Sequence, residues 1–233
     1  MFSVTLVQDL SKYHLLKHPF YQAWNQGALE ISTLQRYAKQ YFKNVEAFPR
    51  YVSGVHSQCL SITDRRVLLE NLIDEERGDE NHPELWLRFA ESLGESSEEV
   101  SSTCAESATK NLVEGFLELV KSSYAAGLGA LFAYEQQVPA VAESKIAGLK
   151  KFYGYDDENP GLQFFKVHTK ADEWHSAECA ALLDKLSEAE QEVAHKAAIK
   201  VAKLLWAFLD NIYDSKMSGE LHGVNCKLER QFN

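Results

Sequence analysis

Apolar residues recur at helical spacing from one end of the chain to the other, and no stretch alternates as a half-buried strand would. The pattern predicts an all-α protein. A first segment over residues 6–18 stops at Pro19, and a helix from Ser32 or Thr33 carries Leu34, Tyr37, Ala38, Tyr41 and Val45 on one face until Pro49 closes it and opens the next. Thr63 or Asp64 caps a helix bearing Val67, Leu68, Leu69, Leu72 and Ile73 and reaching Gly78 or beyond; Pro83 begins or bends another, with Leu85, Trp86, Phe89 and Leu93, that ends at Gly94. The Ser- and Glu-rich residues 95–107 read as a loop or a short helix. An amphipathic helix follows over 108–122, then a long helix rich in small residues over 124–154, kinked at Pro139. After the turn at 156–161 a helix runs to Leu186, and the capping box Ser187 to Glu190 starts a last helix with Val201, Leu204, Leu205, Phe208 and Ile212 along its stripe. One helical domain over residues 1–214 and a polar tail over 215–233 account for the pattern.

Composition narrows the function. With 233 residues, 45% of them hydrophobic, the chain fills a sizeable core. A net charge of −10 and the lack of a Lys/Arg cluster exclude nucleic acid and anionic membrane as expected partners. Cys59, Cys104, Cys179 and Cys226 are too dispersed for a zinc knuckle or a disulfide framework. The N-terminus lacks a basic leader, and no uncharged apolar run reaches the roughly 18 residues of a membrane span. The expectation is a cytoplasmic protein that handles small molecules, with a homodimer as one option for its assembly.

The distinctive chemistry lies at residues 168–175, His-Thr-Lys-Ala-Asp-Glu-Trp-His. On a helix, offsets of four and seven turn the chain about 400° and 700°, which sets His168, Asp172 and His175 on one stripe. With eight His and 34 acidic residues, this spacing arises about 0.04 times by chance. Imidazoles and a carboxylate on one stripe suit a transition metal, against the bland alternative of a salt-bridging surface stripe. Glu75 and His82 lie seven apart, two turns on one helix face, with Gly78 between them leaving room for an ion; this pair alone is weak, and the acidic run 74–80 could be a solvated helix end. Glu135 sits in a strongly apolar helix, where an unpaired charge costs several kcal/mol and calls for a cation. Glu75, His82, Glu135, His168, Asp172 and His175 together make a shell for two metal ions, with an oxygen and nitrogen mixture that favours iron or manganese. A ferritin-like site, using Asp172-x-x-His175 and Glu192-x-x-His195 as acid–His pairs, is the competitor; its ligand order would be unusual and would leave His168 idle.

Longer stretches carry a resemblance. Gly-Ala-Leu-Glu at 27–30, Leu-Gln-Arg-Tyr-Ala-Lys-Gln-Tyr-Phe at 34–42, Ala-Phe-Pro-Arg-Tyr-Val-Ser-Gly-Val-His-Ser at 47–57, Asn-Leu-Ile-Asp-Glu-Glu-Arg-Gly-Asp-Glu-Asn-His at 71–82, Ala-Tyr-Glu-Gln-Gln-Val-Pro at 133–139 and His-x3-Asp-x2-His at 168–175 together resemble the CADD-like proteins (chlamydial protein associating with death domains) of the haem-oxygenase-like superfamily. The resemblance covers residues 18–214. It implies a haem-oxygenase-like helical bundle whose dimetal site, Fe/Fe or Fe/Mn, uses the six residues above as ligands. It further implies a self-sacrificing synthase of para-aminobenzoate for folate biosynthesis, consuming O2 and an external reductant. In such proteins an internal tyrosine, here Tyr21, provides the ring, and a lysine, here Lys145, provides the amino nitrogen. Tyr134, beside Glu135, is a candidate electron relay. Relatives carry a further tyrosine shortly before the first His of the motif, where this chain has Phe164 and Phe165, so Tyr134 or Tyr41 would have to substitute. Oxidation of an external small molecule at the same site, and a protein-interaction module on the same fold, are the alternative readings.

Overall fold

The structure is a computed structural model that describes residues 1–218, the side chains of 170–173 and 215–218 aside. Every regular element among the described residues is helical. Helix α1 (Phe2–Leu10) leads through two 3-10 turns into α2 (Pro19–Asn25); the long α3 (Ile31–Gln58), α4 (Ile62–Glu76), α5 (His82–Ser92) and the short α6 (Ser97–Ser102) follow. The remainder comprises α7 (Ser107–Ser122), α8 (Tyr124–Glu135), α9 (Val138–Phe152), α10 (Gln163–Leu183) and α11 (Glu188–Ser218). No helix among the described residues is long and apolar enough to cross a membrane.

Several boundaries differ from those expected. Helix α3 does not close at Pro49 but runs through it. The proline forfeits one backbone hydrogen bond, yet Val45, Phe48, Val52 and Val55 on both sides of it are buried in the core, and that burial outweighs the loss so that the helix continues. The segment expected as a first helix over 6–18 is a helix only to Leu10. The expected long helix over 124–154 is two helices: α8 ends at Glu135, and Pro139 lies in the first turn of α9, where its missing N–H does no harm. Buried Gln137 fastens the break, its Oε1 accepting from Leu15 N at 2.9 Å while its Nε2 donates to Ala133 O at 2.9 Å. The capping box at Ser187 is present, with Ser187 N donating to Glu190 Oε2 at 2.9 Å. Helix α11 continues through Ser218, and residues 219–233 of the expected tail lie outside the described residues.

Helix α8 is the centre of the bundle. All its residues from Ala125 to Glu135 are buried, and its small side chains let neighbours approach closely. A Cβ on Gly129 would stand 2.2 Å from the Ala194 carbonyl oxygen of α11, so only glycine admits this packing. Gly148 does the same between α9 and α2, where a Cβ would meet the Trp24 ring at 2.5 Å.

Candidate metal centre and the buried lysine

Four helices deliver the acidic and imidazole groups. Glu75 belongs to the last turn of α4 and His82 opens α5, so they do not share a helix face as the spacing suggested. Two helical turns would separate them by about 10.5 Å along the axis. Instead the chain breaks at Arg77, turns at Gly78 (φ +80°), and returns His82 Nδ1 to 2.8 Å from Glu75 Oε2. Gly78 is exposed and provides the turn, not space for an ion.

Glu75, His82, Glu135, His168 and His175 are all buried, at 2 to 5% exposure. Ligand atoms of Glu75, His82 and His168 lie within 4.8 Å of one another. His168 Nδ1 is 2.6 Å from the Phe164 carbonyl, which only accepts; the proton is therefore on Nδ1 and the Nε2 lone pair is free to bind. Burial, followed by repulsion from His82, holds the His168 imidazole well below its ordinary pKa, so it is neutral. Burial also pulls His82 down, but the adjoining Glu75 carboxylate more than offsets this and the net shift is upward. Glu135 Oε1 accepts from Asn71 Nδ2 at 2.7 Å and Oε2 from Cys179 Sγ at 3.1 Å. Burial pushes its carboxyl up to about 7 in spite of these two donors. The Asp172 side chain lies outside the described residues.

The donor set fits a metal. The close Glu75–His82 contact lacks hydrogen-bond alignment, leaving His82 Nδ1 without a hydrogen bond among the described residues, and His175 Nδ1 is likewise buried without one. Buried polar atoms in a folded chain normally find partners. Carboxylates and imidazoles brought together in a buried pocket are an oxygen and nitrogen donor set of the kind iron and manganese take.

A second cluster lies between α2, α3, α5, α9 and α10. Lys145 of α9 is 4% exposed, and its Nζ sits 5.0 to 5.9 Å from the ring centroids of Tyr21, Trp24, Tyr37, Tyr41, Trp86 and Phe165. Burial in this box lowers the lysine to about 7, which leaves a large neutral fraction at physiological pH. Nζ donates to Tyr37 Oη at 2.7 Å, and the Tyr37 and Tyr21 hydroxyls are 3.3 Å apart. The Tyr37 ring stacks on Tyr41 at 5.3 Å, and Tyr41 Oη donates to Tyr134 Oη at 3.0 Å. Phenols thus run without a gap from the amine to the residue preceding Glu135. Both Tyr21 and Tyr37 are raised by burial and stay protonated. Phe164 packs on the His168 ring at 4.1 Å and has no hydroxyl to add to this chain.

Some members of the two clusters carried little signal in the sequence. Tyr37 stood out only as an apolar-face residue within the 34–42 stretch, Asn71 and Asp74 only as members of the 71–82 stretch, and Cys179 only as one of four dispersed cysteines.

Comparison with known proteins agrees with the geometry. A sequence profile described as iron-containing redox enzyme matches residues 35–208. A 4-aminobenzoate synthase of Nitrosomonas europaea is 41% identical over 214 residues, 87% of either chain, and one of Chlamydia muridarum is 40% identical over 202 residues, 86% of this chain and 85% of that one. A pyrroloquinoline-quinone synthase of Ruegeria pomeroyi is 26% identical over 219 residues, covering 90% of this chain and 88% of that one. Among solved structures, a domain of unknown function with a haem-oxygenase-like fold from Shewanella denitrificans superposes with a TM-score of 0.76 at 14% identity over 96% of this chain and 95% of that one, and a CADD-like protein of unknown function from Nostoc punctiforme with 0.74 at 18% over 91% and 97%. The all-helical bundle, its buried donors and the profile match over three-quarters of its length together say that this chain belongs to the haem-oxygenase-like family of iron-containing redox enzymes.

Proposed function

We propose that the protein makes para-aminobenzoate from its own side chains, with Tyr21 giving the ring and Lys145 the nitrogen. The observation that carries this reading is the lysine: a fully enclosed amine, partly neutral at pH 7, pressed against two phenols, in a chain about 40% identical to 4-aminobenzoate synthases. An unprotonated amine is a nucleophile, and the aromatic box keeps out the water that would compete with it. Converting a tyrosine side chain to aminobenzoate breaks its Cα–Cβ bond, oxidises Cβ to a carboxylate, replaces the phenolic oxygen by the lysine nitrogen and cleaves the Lys145 Cε–Nζ bond that held it, and the overall change is oxidative, with O2 as oxidant.

Two ions, iron with iron or with manganese, would be held by Glu75, His82, Glu135, His168, Asp172 and His175, and would supply activation of O2 with an external reductant. Tyr134 and Tyr41 connect that centre to Tyr37 and Tyr21 and suit the movement of electrons between them. This role would fall to them because Phe164 stands where the resemblance places a tyrosine. Buried thiols at Cys59 and Cys179 are consistent with a reducing cytoplasm.

The test is to load the purified protein with iron and manganese, add O2 and a reductant, and analyse small molecules and tryptic peptides by mass spectrometry. Expected are aminobenzoate and altered masses for the peptides holding Tyr21 and Lys145. Intact peptides with no aminobenzoate would overturn the proposal. Product formation that survives Tyr21→Phe with an added aromatic substrate would replace it by oxidation of an external molecule.

A further inference from the structure

Asp74 immediately precedes Glu75 and is not among the six metal-binding candidates. Its Oδ2 lies 3.1 Å from His175 Nε2, across the junction of α4 and α10. The two partners differ in exposure: the Asp74 side chain is 50% exposed and that of His175 only 3%. A carboxylate only accepts, which puts the ring proton on Nε2, the nitrogen facing Asp74. Nδ1 then carries the lone pair, and it is buried with no hydrogen bond among the described residues.

We infer that Asp74 is a positioning residue for the metal centre: it holds His175 in the Nε2–H tautomer and so presents Nδ1 to the ion. His168 shows the same device with the nitrogens exchanged, since the Phe164 carbonyl takes its Nδ1–H and leaves Nε2 to bind. Each histidine therefore has its proton occupied on one side and its lone pair unused on the other. Such outer partners fix the ring and its tautomer, and their loss typically weakens metal binding about 10–100-fold. An exposed aspartate could otherwise act merely by drawing cations toward the acidic 74–80 segment, and the two roles make different predictions.

The inference rests on the metal-centre reading but not on the aminobenzoate reaction, so its tests avoid turnover. The first is nitrogen-resolved NMR of the full-length protein with 15N-labelled histidine, with His175 assigned by its absence in His175→Gln, before and after addition of zinc as a diamagnetic probe. Expected is an Nε2–H signal for His175 that persists while its Nδ1 resonance shifts on metal addition. A shift at His82 and His168 without one at His175 Nδ1, or loss of the His175 Nε2 proton, overturns the role given to Asp74 and leaves the centre standing. No shift at any histidine overturns both. The second test measures Mn(II) binding by EPR in folded variants. Asp74→Ala should weaken one ion about 10–100-fold, Asp74→Asn should recover most of the loss because its amide oxygen still accepts, and Asp79→Ala should bind as the wild type does. Equal behaviour of Asp74→Ala and the wild type, or of Asp74→Ala and Asp79→Ala, overturns it.

Discussion

The Lys145 amine donates a 2.7 Å hydrogen bond to Tyr37, not to Tyr21, whose hydroxyl lies a further 3.3 Å along the same chain. The proposed ring donor is therefore reached through a second phenol. Mass spectrometry after one round of reaction should place the altered tyrosine at Tyr21. In Tyr37→Phe, which removes the hydroxyl between the two groups, product should fall at least tenfold, although the protein should stay folded. Alteration at Tyr37 in the wild type would transfer the ring-donor role to it.

Stability should depend on pH through Lys145. Burial lowers its pKa from 10.5 to about 7, so between those values the unfolded chain binds a proton that the folded one does not. Stability from this group is thus lowest below pH 7 and rises toward pH 10.5, by at most about 1.4 kcal/mol per pH unit. Lys145→Met should stabilise the protein by about 2–4 kcal/mol at pH 7, and the difference in denaturant midpoints should shrink as pH is raised toward 10. Product yield in the wild type should increase through pH 7 as the amine loses its proton.

Glu135→Gln should separate binding from stability. Removing a buried carboxyl whose ionisation burial opposes should leave the ion-free protein as stable as the wild type or more so, by about 1 kcal/mol in thermal melts at pH 8. The same change should reduce metal content from two ions toward one, read by elemental analysis.

Tyr41→Phe breaks the hydroxyl contact to Tyr134 and keeps the ring that stacks on Tyr37. It should cost about 1 kcal/mol of stability, leave metal content unchanged and slow product formation at least tenfold. An unchanged rate would remove Tyr41 from the electron path.

Gly129→Ala forces a methyl group into the Ala194 backbone. Backbone cannot swing aside as a side chain does, so α8 and α11 must separate, at a cost of about 3 kcal/mol or more, visible as a lower melting temperature. Because α8 ends in Glu135, metal affinity should fall with it.

The helical class, the stop at Gly94, the capping box at Ser187 and the helix carrying 168–175 were legible because they are local, whereas the cap expected at Thr63 or Asp64 is Ser61. Where tertiary packing decided, the sequence misled. Pro49 reads as a stop, yet the buried stripe on both sides of it carries α3 through. Helical spacing would keep Glu75 and His82 apart, whereas the turn at Gly78 brings them together. The depth of Lys145 left no mark at all. It sits beside Glu143 and Ser144 in a helix of mixed polarity, and its box is assembled from helices distant in sequence.

The close contact of Gly148 with Trp24 binds the helix that holds the lysine to the helix that holds Tyr21. If Tyr21 surrenders its ring, a void the size of a phenol opens at that joint. Removing a buried aromatic side chain costs about 3–5 kcal/mol, a large part of the 5–15 kcal/mol that typically keeps a domain folded. A molecule that has delivered its product would then be the unstable member of its own population, and the proteases that clear loosened chains would remove used copies ahead of fresh ones.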